Sequence, residues 1–441
     1  MASSGQPKAK ATSKAEPLAP AFETLAIHAG ARPDPSTGAR ITPIYQTTSY
    51  VFDDVDQAAS LFNLQVFGNI YSRITNPTNS VLEERMAALE GGRAALAAAS
   101  GHAAQVLVFH NLLSPGDHIV ASKKLYGGSI TQLTHSFKRM DWHASFVDPD
   151  NPKNFAEALT PCTKALFIEN LANPGGVVLD LEPIAAIAKR AGIPLIVDNT
   201  LATPYLARPI DWGADIIVHS ATKFLGGHGN SMGGIIVDSG KFDWGRTDKF
   251  PHLTGPIESY HGLKFYETFG DMAFAVACRA VSLRDLGPAL SPFNAFLILT
   301  GIETLALRME RHSANALAVA SHLKSHPKIS WVSYAGLPED RYYKLAQKYL
   351  PRGAGAVFTF GLEGGYEAGI KLVENVELFS HLANIGDTRS LIIHPASTTH
   401  RQLTAEQLEA AGAGPDVVRL SVGLENVADI IADLDQALAK T

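Results

Sequence analysis

The sequence predicts an α/β protein: a mostly parallel, helix-covered sheet followed by a smaller C-terminal α+β domain. Three observations carry this. Short apolar runs recur from residue 118 onward with helical patterns between them, the alternation that builds parallel sheets. Several runs are apolar throughout instead of alternating, as strands covered on both faces must be. The chain has 441 residues, enough for two domains and a tail.

Residues 1–20 are polar, rich in Ala, Ser, Pro and Lys, and without periodicity. They predict a disordered tail ending near residue 21. No apolar core of a secretory signal is present, and a tail with Glu16 and no arginine argues against a transit peptide. Residues 22–75 are irregular, broken by Arg32-Pro33-Asp34-Pro35 and Ile41-Thr42-Pro43-Ile44. Such a stretch reads as an arm resting on another subunit, or as a surface extension.

Residues 76–292 form the predicted large domain. A helix over Ser80–Leu89, with Glu83 and Glu84 outside, stops at Gly91-Gly92. An alanine-rich strand or turn leads to Ser100-Gly101-His102, and a second helix spans Ala103–Leu113. Strands are predicted at His118–Val120, Ala144–Val147, Ala165–Ile168, Pro194–Val197, Ile216–Val218 and Gly234–Val237. A helix between them opens at Glu182-Pro183 and closes at Gly192, with Pro and Gly at their preferred ends. Residues 240–270 lose the pattern and crowd Phe242, Trp244, Phe250, Tyr260, Phe265 and Tyr266 together, a functional or subunit-bridging stretch. One long helical segment from Phe293 to Leu323 crosses into the C-terminal domain, 293–441, whose strands include Ala356–Phe360 and Val418–Val422.

The chemistry gathers at strand ends, where ligands of α/β proteins bind. Lys223, in Ser220-Ala221-Thr222-Lys223, follows the run Asp215–Val218, and Asp198 closes Ile193–Val197. An amine for a Schiff base and an acid for a pyridinium nitrogen are what pyridoxal phosphate (PLP) asks of a protein. Taken alone, each has a plain reading, a solvated lysine or a helix cap. Together they point to a site. Ser100-Gly101-His102 at a helix start offers N–H groups to a phosphate, although a simple serine cap would explain it too. Ser220 and Thr222 can add hydroxyls, and Tyr71-Ser72-Arg73 a phenol and a guanidinium. Tyr126, before Gly127-Gly128, can stack on a ring or move a proton, or be a core tyrosine beside a turn. Asn173, in Asn173-Pro174-Gly175-Gly176, ends another strand, and its amide is a candidate partner for the cofactor's phenolic oxygen. Arg419, inside Val417–Val422, needs an anionic partner: a substrate carboxylate or a structural acid.

Bulk properties narrow the classes. A formal net charge of −6 without a basic stripe argues against nucleic acid, and no apolar run approaches a membrane span. Two distant cysteines fit a reducing cytosol, and no His/Cys spacing indicates a metal.

These motifs, with Tyr71-Ser72-Arg73-Ile74-Thr75-Asn76-Pro77-Thr78, Asp198-Asn199-Thr200, His394-Pro395-Ala396-Ser397-Thr398-Thr399-His400 and Arg419-Leu420-Ser421-Val422-Gly423, resemble the trans-sulfuration (Cys/Met metabolism) family of PLP enzymes. The likeness runs from about Phe22 to Leu438, and within the family it is greatest to the sulfhydrylases of O-acetylhomoserine. It implies the fold type I architecture with a seven-stranded sheet. It also implies a γ-replacement turning O-acetyl-L-homoserine and sulfide into L-homocysteine and acetate, in methionine and cysteine biosynthesis. By the same likeness Lys223 carries PLP, Asp198 pairs with its ring nitrogen and Tyr126 stacks on the ring. Ser100, Gly101, His102, Ser220 and Thr222 hold the phosphate, joined by Tyr71 and Arg73 of a neighbouring subunit. Arg419 takes the substrate carboxylate, with Ser390, Asn173 and Tyr71 nearby. The implied assembly is a cytoplasmic tetramer of two active dimers. His102 departs from the glutamine or methionine common at its position, which leaves its side chain without an assigned role. Cystathionine γ-synthase, O-succinylhomoserine sulfhydrylase and methionine γ-lyase share this core. A cofactor-free Schiff-base aldolase would leave Asp198 and the phosphate cradle unexplained, and a binding module would take up PLP without turnover.

Overall fold

A computed structural model describes residues 20–173, 175–399, 401, 404, 408 and 412–441. The predicted tail, apart from Pro20, lies outside the described residues, as does His400 of the C-terminal motif.

The large domain is built on β1 (Ala94–Ala98), β2 (His118–Ser122), β3 (His143–Val147), β4 (Thr163–Glu169), β5 (Leu195–Asp198), β6 (Ile216–Ser220) and β7 (Gly234–Asp238). They lie in the order β1-β7-β6-β5-β4-β2-β3. The five from β6 to β3 are parallel, and β7 runs antiparallel between β1 and β6. The sheet is therefore mostly parallel, as the apolar runs predicted. Ile196, Val197, Ile216, Ile217 and Leu166 are buried, and such strands hold only where helices cover both faces.

Helix α1 (Pro77–Glu90) starts with Pro77 at N1 and Asn76 as cap, whose side chain accepts the Thr78 N–H at 3.0 Å; Gly91 ends it in the left-handed region at φ 72°. Glu84 is exposed as expected, but Glu83 is not. It is buried, accepting from Ala97 N at 2.8 Å and from Arg279 Nη2 at 2.6 Å. Strand β1 and the helix at 292–303 both cover α1, so it has little solvent face. Helix α2 (Gly101–Leu112) begins under the Ser100 cap, and α3 (Leu181–Ala191) ends at Gly192, φ 64°.

The expected continuous helix from 293 to 323 is two: α4 (Pro292–Glu303) and α5 (Leu305–Lys324). The break lies beside a contact across the fold. Gly301 lies so close to the turn after Lys223 that a Cβ there would sit 2.2 Å from Gly226 O. Arg308 of α5 donates to the Gly301 carbonyl at 2.6 Å and to Phe224 O at 2.7 Å. The kink seats the Lys223 turn.

Residues 240–270 form short helical turns. Trp244, Phe250 and Phe265 are buried, with Trp244 stacked on Phe274 at 5.4 Å and 12°. These three aromatics are thus core of their own chain. The arm at 22–75 leaves Val51, Val55 and Phe67 exposed. The second sheet joins β8 (Ile329–Ser333), β9 (Val357–Leu362), β10 (Ser380–His381), β11 (Leu391–Ile393) and β12 (Val417–Ser421) in the order β8-β9-β12-β11-β10. Among the described residues no helix is long and apolar enough to cross a membrane.

Candidate active site

Parallel pairing brings the ends of β4, β5 and β6 abreast. Glu169 faces Asp198 and Asp198 faces Val218 in register, with Ser220 two residues on. The first turn of α2 rests on this edge. A Cβ on Gly101 would lie 2.8 Å from Ser220 Cβ, and one on Gly234 would lie 2.0 Å from Ser100 O. Glycine at both positions lets the helix start approach the strand mouths.

A cavity of about 400 Å³ opens there, between the two sheets. It is lined by Ser100, Gly101, His102, Tyr126, Asn173, Asp198, Ser220, Thr222, Lys223 and Arg419, all anticipated from sequence. It is also lined by Gln105, Ser129, Glu169, Thr200 and Asn384, which sequence reasoning missed. Two of these had a signal: Glu169 closes an apolar run as Asp198 does, and Gln105 lies one helical turn beyond His102. Asn384 sits in a loop with no pattern to betray it.

Lys223 Nζ donates to Asn384 Oδ1. Burial lowers its pKa, and the Arg419 guanidinium lowers it further, both favouring the neutral, nucleophilic amine. Asp198 accepts from Thr200 N at 2.9 Å and Gln105 Nε2 at 3.4 Å. Burial pushes its carboxyl upward; burial and then the Asp198 charge do the same to Glu169. Two buried acids side by side favour a cationic partner between them and solvent.

Arg419 is held by neutral groups, donating to Asn173 Oδ1 at 3.2 Å and Asn384 O at 3.2 Å. Burial pushes it down to about 10. No ion pair engages it among the described residues. Tyr126 is half exposed, and its ring stacks beside the His102 imidazole at 5.8 Å and 28°. His102 Nε2 is buried without a partner, and burial depresses the ring's pKa.

Three anticipated residues stand elsewhere. Ser390 is buried behind the site, its hydroxyl donating to Glu425 Oε2 at 2.9 Å and accepting from Gly423 N at 2.9 Å. A side chain so engaged has no donor left for a substrate. Tyr71 and Arg73 lie on the arm outside the cavity, and Arg73 Nη1 donates to Arg284 O. Thr222 lines the cavity, but its hydroxyl donates to Gly233 O at 3.3 Å and accepts from Gly233 N at 3.1 Å.

The donor set fits PLP. It offers an amine shifted toward neutrality, a buried carboxylate, and a helix N-terminus. There Ser100 Oγ takes the Ala103 N–H at 3.1 Å, and the N–H groups of Gly101 and His102 have no acceptor within the helix. His102, which lines the same cavity, keeps its buried Nε2 without a hydrogen-bond partner.

Known proteins agree with this chemistry. Residues 23–439 match the family described as Cys/Met metabolism PLP-dependent enzymes. The chain is 54% identical over 425 residues to O-acetyl-L-homoserine sulfhydrylase of Leptospira meyeri, covering 94% of this chain and 96% of that protein. It is 51% identical over 419 residues to homocysteine synthase of Schizosaccharomyces pombe, covering 95% and 98%. A crystal structure described as an O-acetylhomoserine (thiol)-lyase of Campylobacter jejuni, with a pyridoxyl-lysine phosphate, superposes with a TM-score of 0.92. It shares 42% identity and covers 95% of this chain and 99% of its own. With family match, relatives and site in accord, the chain belongs to the Cys/Met metabolism family of PLP-dependent enzymes.

Proposed function

We propose that the protein exchanges the acetyl ester oxygen of O-acetyl-L-homoserine for sulfide, releasing L-homocysteine and acetate. The observation that carries this reading is that Lys223, Asp198 and Arg419, the last held by Asn173 and Asn384, share one cavity. When bound, PLP supplies the electron sink that makes Cα and Cβ protons of an amino acid removable. Lys223 holds the cofactor and, once displaced by the substrate amine, takes the Cα proton at Nζ. Asp198, ionised opposite the ring nitrogen, keeps that nitrogen protonated. Arg419, steadied by Asn173, binds the substrate carboxylate and so fixes which bond at Cα lies perpendicular to the ring. Tyr126 covers one ring face and offers its hydroxyl for proton movement. The N–H groups of Gly101 and His102 with Ser220 hold the phosphate, and Thr222 joins them by turning from Gly233.

Tyr71 and Arg73 complete the phosphate site from a second copy in this reading. The exposed apolar arm around Val51, Val55 and Phe67 supports it, since surface of that kind asks for a partner. An active dimer, paired into a tetramer in the cytosol, is the assembly we infer. The test is incubation with O-acetyl-, O-succinyl- and O-phosphohomoserine plus sulfide, following homocysteine and α-ketobutyrate together. Homocysteine from the acetyl ester above the others is expected. α-Ketobutyrate and ammonia without homocysteine would replace this reading with a lyase. Borohydride reduction should leave a pyridoxyl group on Lys223 and none in Lys223→Ala.

A further inference from the structure

We propose that Glu169 is a positioning residue for this reaction: one carboxylate sets both the aromatic that covers the cofactor ring and the amide that steadies the substrate-binding arginine. The proposal rests on the functional reading above.

Glu169 ends β4 and is 3% exposed. Its two oxygens serve two different loops. Oε1 accepts the Tyr126 backbone N–H at 2.5 Å, and Oε2 accepts the Asn173 backbone N–H at 3.0 Å. Tyr126 then presents its ring to the cavity, while Asn173 Oδ1 accepts from Arg419 Nη1 at 3.2 Å. One side chain therefore joins the loop after β2, the loop after β4 and strand β12. No other hydrogen bond among the described residues links Tyr126 to Asn173.

Why a carboxylate is needed follows from the acceptor count. Two N–H donors converge from opposite sides, and a carboxyl group offers an oxygen to each; burial raises its pKa, and both bonds pull it down against that. A glutamine of the same shape has one oxygen and one NH₂, so it must present a donor to one of the two N–H groups. The substitution leaves volume unchanged and releases either Tyr126 or Asn173. A displacement near 1 Å at either arm is worth on the order of 100-fold in turnover.

The experiment is a pair of double-mutant cycles on the PLP-loaded enzyme, Glu169→Gln with Tyr126→Phe and with Asn173→Ala. Glu169→Gln should keep its pyridoxyl-lysine after borohydride reduction, lose roughly 100-fold in kcat and raise KM several-fold. Where the amide turns away from Tyr126, Tyr126→Phe should cost much less in the Glu169→Gln background than in the parent; where it turns away from Asn173, the same holds for Asn173→Ala, and one of the two cycles must show it. Losses that multiply independently in both cycles, or parental kcat and KM in Glu169→Gln, would overturn the proposal. If that variant fails to fold, Glu169→Asp, with a carboxylate too short to span both donors, carries the same cycles. A second measurement separates this idea from the functional reading: spectral titration with L-norvaline, an amino acid with no leaving group. Weaker norvaline binding in Glu169→Gln supports the proposal even if no acyl-homoserine is turned over, and unchanged binding refutes it.

Discussion

Asn384 accepts from Lys223 Nζ through its side chain and from Arg419 Nη2 through its carbonyl, at 3.2 Å for the latter. A single residue of the second sheet's loop thus ties the amine at one strand mouth to the arginine of β12. The side-chain oxygen favours the charged amine, opposing the burial that lowers the Lys223 pKa.

Asn384→Ala should therefore lower that pKa further. The rate at which the apoenzyme captures PLP, followed against pH by the visible band, should shift to lower pH and rise about fivefold on the acidic side. A profile unmoved, or moved toward higher pH, would show that Asn384 does not set the amine's charge.

Gly234→Ala tests the seat of the phosphate helix. The added carbon would lie 2.0 Å from the Ser100 carbonyl oxygen, and backbone must move to admit it. We expect a stability loss of at least about 2 kcal/mol by thermal or urea unfolding. PLP should also dissociate faster, although residue 234 touches no cofactor. Parental PLP retention would mean the helix start can shift without consequence.

Behind the cavity, His219 Nε2 donates to Glu90 Oε1 at 2.6 Å with both side chains fully buried, and Asn199 Nδ2 donates to the same oxygen at 2.7 Å. His219→Leu removes one of the two donors to the buried Glu90 Oε1 and should cost about 1–3 kcal/mol. Adding Glu90→Gln should recover part of that loss, because an amide oxygen left short of a donor costs less to bury than a carboxyl group that can ionise. A double variant less stable than His219→Leu alone would contradict this.

His312 supplies a pH dependence. Its Nδ1–H donates to Val422 O at 2.7 Å, Nε2 is buried without a partner, and burial pushes its pKa down to about 4. The folded state binds a proton less readily than the unfolded chain, so this group stabilises the fold fully above pH 6.5. That stability is lost as pH falls toward 4, up to about 3 kcal/mol. Asp215 and Asp238, each pushed up to about 7 by burial, act in the opposite sense. The quantity to measure is the difference between the parent and His312→Gln, which should shrink on acidification through this window. A constant difference from pH 7 to pH 4 would exclude the effect.

The strands were legible because burial on both faces forces uninterrupted apolar runs, and residues that end those runs could be read as site residues. Lys223 and Asp198 are of that kind. Glu83 was misread because an amphipathic pattern presumes one wet face, and α1 is covered on several. The break at residue 304 depends on Gly301 meeting Gly226, a contact across the fold that periodicity does not carry. Asn384 and the engagement of Ser390 by Glu425 are likewise products of tertiary approach. Glu169 was in plain view, closing an apolar run, but its worth lies in two loops it unites.

The antiparallel insertion of β7 has a consequence for biosynthesis. Strand β1 touches no other strand of its sheet, and Ala94 finds its partner only in Asp238. On the ribosome the segment leading into the phosphate-binding helix therefore emerges long before the strand that will fix it. Until then it is an unzipped edge, exposed to chaperones and to mispairing. Vitamin loading must wait for the late-made strand, so a chain stalled before residue 238 would be apoprotein whatever the supply of cofactor.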